Sequence, residues 1–136
     1  MEIVFEEAQG QVPVTIMHLH GQLDASNYLD VIARATEKHE AGTQDLLLDL
    51  SDVAFMASSG LVALHSVALI MCGAQPPDPE YGWAAFRTMA RNVHGGIAQH
   101  CKLLNPQPSV VRTLEVTGFK AFVEIYTDRE QALAAF

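Results

Sequence analysis

The chain has 136 residues and a formal charge of −8, with sixteen acids against eight bases. That length predicts one domain with a single core, and the acidic balance excludes a nucleic-acid surface, which needs clustered Lys and Arg against phosphates. The longest apolar stretch, residues 60–74, is shorter than the roughly 20 residues of a membrane span, and His65 and Ser66 interrupt it.

Met1 leads directly into "EIVFEE", with neither a basic start nor a small-residue cleavage site, so no secretory leader is expected. Cys72 and Cys101 are far apart in sequence, which reads as reduced thiols rather than a disulfide. Together these features predict a cytoplasmic protein.

"IVFEE" and "VPVTIMHLHG" read as two strands in a hairpin-like pair. The second alternates, with Val12, Val14, Ile16, His18 and His20 on one face and Pro13, Thr15, Met17 and Leu19 on the other; Gly21 is expected to end it. "DASNYLDVIARATEKHE" follows, with Leu29, Ile32, Ala33 and Thr36 at helical spacing. Ser26 or Asn27 is placed to accept the first free amides of that helix, and Gly42 closes it.

"DLLLDLS" is a short continuous apolar run, the pattern of a strand buried on both faces in a parallel sheet. After two serines, Leu61, Leu64, His65, Ala68 and Cys72 form one helical stripe. The opposite stripe, Val62, Ser66, Leu69 and Met71, is nearly as apolar. Between Val53 and Pro77 there is no charged residue.

The stretch after Cys72 breaks the rhythm. "GAQPPDPEYGW" is proline-rich and irregular, "AAFRTMARN" reads as a short helix, and "HGG" ends it. Residues 74–93 therefore look like an insertion, and one that carries Trp83, Tyr81 and Phe86. A linker is poor in aromatics, so these point to contact with the chain's own core, with a second copy in a homodimer, or with a partner; disorder is the remaining alternative. "QHCKLLN" is then a strand, and residues 109–117 a helix stopping at Gly118 with Phe119 packed back on it. "FVEIY" is the last strand, and Thr127 with Glu130 forms a capping box for a final helix to Phe136. Helices alternating with strands after an initial pair predict one α/β domain with a mostly parallel sheet.

Three kinds of chemistry come into question for such a chain. The six histidines lack a third ligand at a recognisable spacing, and neither HExxH nor CxxC is present, so no metal is expected. Asp24, Asp49 and Asp52 each lie near a predicted strand end, where sites form in such sheets. No nucleophile and base can be assembled around them, so no catalytic residue and no cofactor are expected. Ser58 suits a helix N-cap, with Ser59 then at the first helical position. A helix N-terminus presents free amides and a positive dipole end, so it holds a phosphate dianion readily. A serine there is suited to phosphorylation, a gain of about −2 charge.

At three places the sequence resembles the STAS domain, and within it the bacterial anti-sigma factor antagonists of the SpoIIAA type. "GQLDASN" (21–27) is similar to the family's GELD-type turn, "LLLDLSDVAFMASSGLVAL" (46–64) to its signature strand, loop and helix start, and "LLNPQPSVVRTLEVTGF" (103–119) to its fourth-strand exit and following helix. The resemblance covers nearly the whole chain outside residues 74–93. It implies a single STAS-like domain over residues 1–136, with a mixed, mostly parallel sheet of four or five strands flanked by helices, and no catalytic activity.

It further implies a binding protein whose partner is an anti-sigma factor that is also a serine kinase of the GHKL type. That kinase would inactivate the chain by phosphorylating Ser59, with Asp24, Ser58 and Gly60 around it, and a phosphatase would reverse the step. Val62, Ser66, Leu69 and Met71 would offer the apolar contact area. Two departures stand out: Ala57 replaces the acid that often precedes the two serines, and the 74–93 insertion follows the contact helix. The alternative is a constitutive STAS-like interaction or ligand-sensing module of a transporter or signalling complex, with no serine switch.

Overall fold

The computed structural model describes residues 1–71 and 100–136. The chain runs β1 (Glu2–Gln9), β2 (Pro13–Leu23), α1 (Tyr28–Glu40), β3 (Leu46–Met56), α2 (Ser58–Met71), β4 (Cys101–Leu104), α3 (Pro108–Val116), a 3-10 turn (Phe119–Phe122), β5 (Ile125–Tyr126) and α4 (Arg129–Ala134). The insertion expected at 74–93, with Cys72 and His94, lies outside the described residues.

The five strands make one mixed sheet in the order β1-β2-β3-β4-β5. β1 pairs antiparallel with β2, and the remaining neighbours are parallel. The α/β class and the mostly parallel sheet are as the sequence predicts. The apolar run of β3 explains its central place: Leu46, Leu47, Leu48 and Leu50 are all fully buried, which requires cover on both faces.

The larger core lies on one face. There Met17, Leu19, Leu48, Leu50 and Val53 from the sheet meet Val31 and Ala35 of α1, the length of α2, Val110 and Leu114 of α3, and Phe119. The second face is smaller, with Val14, Ile16, Leu47 and Leu104 under Ala132 of α4. α4 reaches only part of this face. Beyond it, His18 and His20 of β2 stack on each other, their ring centroids 6.4 Å apart.

Several local expectations are corrected. β2 does not stop at Gly21 but continues to Leu23 through register shifts, with Gly21 at φ +117°, a conformation glycine tolerates without strain. The buried stripe of α1 is Val31 and Ala35, flanked by Tyr28 and Ile32; Leu29 is 53% exposed and Ala33 is also exposed. The helix is rotated so that the stripe with β-branched and aromatic bulk faces α2. β5 is only two residues long, and Phe122, expected at its start, belongs to the 3-10 turn Phe119–Phe122. α4 is capped by Asp128, whose carboxylate accepts the Glu130 N–H at 2.9 Å, and not by Thr127. Gly118, at φ +79°, ends α3 as expected, and Phe119 behind it is fully buried.

Candidate functional site

The carboxyl ends of β2 and β3 converge where the sequence places its two serines. The Ala57 N–H donates to the Leu23 carbonyl at 2.9 Å, which ties the β3–α2 junction to the end of β2. Gly60 then packs against Leu23 and Met56 with no room for a side chain: a Cβ there would lie 2.6 Å from Met56 Cγ and 3.0 Å from Leu23 Cγ. A larger residue at 60 would push the first turn of α2 away from the sheet.

The turn after Leu23 is built around Asp24. Its carboxylate accepts from the Ser26 hydroxyl at 2.6 Å and the Ser26 N–H at 2.9 Å, and these bonds hold its pKa below the usual carboxylate range. Asn27 braces the same turn, accepting the Asp24 N–H at 3.0 Å and donating to the Gln22 carbonyl at 2.7 Å. Asn27 does occupy the N-cap position of α1, but its side chain makes no capping bond. It is engaged with the turn instead.

α2 begins at Ser58, with the Gly60 N–H donating to the Ala57 carbonyl at 2.9 Å. The residue ahead of the helix is thus Ala57, and Ser58 is the first helical residue instead of its cap. Ser59 is the second. Ser58 is exposed and Ser59 half-buried. No acidic side chain lies in this first turn, so the free amides and positive dipole end are not neutralised from within the helix.

The stripe Val62, Ser66, Leu69 and Met71 is not an open face here. All four are buried, between 0% and 4% exposed, as is every residue of α2 from Gly60 onward. An uncharged helix with apolar residues all round is stable only when covered all round, and its sequence carries that signal. The exposed large apolar residues bordering the site are Leu29, in the first turn of α1, and Phe55, just before the serines, each about half exposed. Periodicity places Leu29 on the inward stripe of α1 and says nothing of Phe55.

The other candidate residues separate. Asp49 and Asp52 do not join Asp24: Asp49 pairs with His18 at 2.6 Å, and Asp52 with His20 at 2.6 Å. Among the described residues no three His, Cys, Asp or Glu groups come together as a metal site. Cys101 is buried in the larger core. Two bonds that sequence reasoning misses hold the far side of the site. Gln107 Nε2 donates to the Ser51 carbonyl at 2.8 Å, and Ser109 Oγ to the Ala54 carbonyl at 2.9 Å. They tie the start of α3 to the strand that leads into the serines, a pairing 55 or 56 residues apart that no local pattern encodes.

Among the described residues, no helix is long and apolar enough to cross a membrane. Residues 6–71 match the STAS domain family. No curated protein matches the sequence. Solved structures do. A candidate anti-sigma factor antagonist of Thermotoga maritima is 17% identical, with 96% of this chain and 90% of that one covered, at a TM-score of 0.68. An anti-sigma factor antagonist from Mycobacterium paratuberculosis is 16% identical, with 98% and 92% covered, at 0.64. The Bacillus cell-fate determinant SpoIIAA, solved in its phosphorylated form, is 17% identical, with 96% of each chain covered, at 0.53. At such identities the likeness is one of fold, and it extends across the sheet and the helices around the serine turn. Residues 6–71 are thus similar to the STAS domain, and the chain has the fold shared with these antagonists.

Proposed function

We propose that the protein is an anti-sigma factor antagonist of a partner-switching pathway in the cytoplasm, a binding protein and not an enzyme. Its partner is an anti-sigma factor that doubles as a GHKL-type serine kinase, and the switch is phosphorylation of Ser59, reversed by a phosphatase. The observation that carries this reading is the placement of Ser59 in the first turn of α2, half-buried beside the end of β2, with no acid in that turn.

The mechanism is local electrostatics. A phosphate on Ser59 would meet free helix amides and the positive dipole end, so the fold accommodates about two added charges. A partner seated on the same rim would have to desolvate that charge, at a cost of several kcal/mol without a matching cation. Contact is proposed at the exposed rim that includes Leu29, Phe55 and Ser58. The buried stripe Val62, Ser66, Leu69 and Met71 would take part only if α2 is uncovered on binding.

The test is incubation with the cognate kinase and ATP, followed by mass spectrometric mapping, and a pull-down from the protein's own lysate with wild type and Ser59→Asp. Phosphate at Ser59 and loss of the captured partner in the variant support the reading; phosphate at Ser58, Ser51 or Thr43 overturns the assignment. A second reading, a constitutive STAS module without a serine switch, is favoured by Ala57 standing where an acid often precedes the serines. It predicts no phosphate and identical capture by both proteins.

A further inference from the structure

On the sheet face that α4 only partly covers, His18 sits between two carboxylates. Its Nδ1 is 2.6 Å from Asp49 Oδ2 and its Nε2 is 2.9 Å from Glu6 Oε1. The strand register sets this up: Asp49 is His18's partner on β3, and Glu6 reaches it from β1. An ionised carboxylate only accepts hydrogen bonds, so both ring nitrogens must donate, and a ring that donates from both is the imidazolium. Asp49 is fixed on its other oxygen by the Ser51 N–H and hydroxyl, at 3.0 and 2.7 Å. Glu6 is held from the far side by both guanidinium nitrogens of Arg129, at the start of α4. The charges alternate along the row Asp49, His18, Glu6, Arg129, which spans β3, β2, β1 and α4.

We propose that His18 is a proton-dependent clasp, in which its imidazolium bridges β1 to β3 and, through Glu6 and Arg129, the start of α4. The charged groups facing it are Glu6 from β1, Asp49 from β3, the stacked His20 with its Asp52, and Arg129 beyond Glu6. Burial opposes the charged ring, but the bonds from Glu6 and Asp49 outweigh it and raise the His18 pKa. Once the ring is neutral, one nitrogen turns a lone pair towards a carboxylate. The Asp49 contact is the shorter and Asp49 is the better anchored, so the Glu6 contact is the one that opens. A raised folded-state pKa means that the clasp is fully present below the ordinary value of about 6.5 and is lost as pH rises through the raised one.

The experiment is a pH titration of the full chain by NMR, reading the two ring nitrogens of His18 and the amide protection of β1 and of Ala132 in α4. The expected result is a ring still doubly protonated at the ordinary midpoint of about pH 6.5. Protection should then fall as the ring titrates, about tenfold for each unit by which the fold raises its pKa. Glu6→Gln should bring the His18 pKa down and remove that step, since an amide can both accept from Arg129 and donate to a neutral ring. A neutral ring at pH 6, or protection that stays flat through the titration of His18, overturns the proposal. Because these readings are made on the wild type, they stand even if the variant folds poorly.

Discussion

Gly60 of α2 and Leu23 of β2 are packed so closely that a Cβ at position 60 would lie 3.0 Å from Leu23 Cγ and 3.2 Å from the Leu23 carbonyl oxygen. This contact, with the Ala57–Leu23 hydrogen bond beside it, seats the serine turn on the end of the sheet. Gly60→Ala should therefore destabilise the fold by about 1–3 kcal/mol through overpacking, more than the helix-propensity gain of up to about 1 kcal/mol returns. A thermal melt decides it. A melting temperature equal to or above wild type would mean that Leu23 and Met56 move aside freely.

Since Ser58 starts the helix instead of capping it, Ser58→Ala and Ser59→Ala should each shift stability by only a few tenths of a kcal/mol. Ala57→Ser should do the opposite and stabilise by about 0.5–1 kcal/mol, by supplying the side-chain acceptor that the N-cap lacks. Denaturant unfolding of the three variants measures both effects. A loss near 1 kcal/mol in Ser58→Ala alone would move the cap back to Ser58.

Gly10, in the turn between β1 and β2, lies directly under α4, where a Cβ would be 2.5 Å from the Leu133 carbonyl oxygen. That neighbour is backbone, so it cannot rotate away. Gly10→Ala should lift the end of α4 and cost about 1–3 kcal/mol, with raised hydrogen exchange confined to α4 and the small core under it. Exchange rising equally along α2 would show the two faces to be one cooperative unit.

His65 is buried in α2 against the edge of Phe119, and burial pushes its pKa down to about 4. The folded protein thus keeps this ring neutral while the unfolded chain protonates it below about pH 6.5. Stability should fall as the pH drops from 6.5 towards 4, at a slope of up to about 1.4 kcal/mol per unit. In His65→Met this limb should flatten. An unchanged slope would assign it to another group.

Further into acid the carboxylates take over. Burial works against the charge of Asp49, but the Ser51 and His18 bonds outweigh it and leave its pKa lowered, while hydrogen bonds from Arg129 and then His18 hold Glu6 down to about 2. Groups with depressed folded-state pKa values stabilise above the ordinary carboxylate range and lose that contribution as pH falls through the depressed values. Asp49→Asn should therefore shorten the acid limb below about pH 4 and leave the His65 limb in place. Equilibrium unfolding at stepped pH separates the two.

Much of this was legible in the chain alone, because it rests on local periodicity and composition. The run of leucines in β3 could only be a doubly covered strand, Gly118 could only end a helix where a left-handed turn was needed, and the two serines had to stand at the start of an uncharged helix. The resemblance of three short stretches to the STAS family placed those elements in order. Tertiary structure decided what local pattern leaves degenerate. Which stripe of α1 faces inward depends on the rotation imposed by α2, so Val31 and Ala35 are buried while Leu29 is exposed. The same cover turns the outer stripe of α2, equally apolar on every side, from an open surface into core. A one-residue difference in where α2 begins moves the cap from Ser58 to Ala57, and it is set by the Leu23 bond to Ala57. The pairing of His18 with Glu6 and Asp49 arises only from the register of three strands, since cross-strand neighbours 12 and 31 residues apart leave no trace in a period of two.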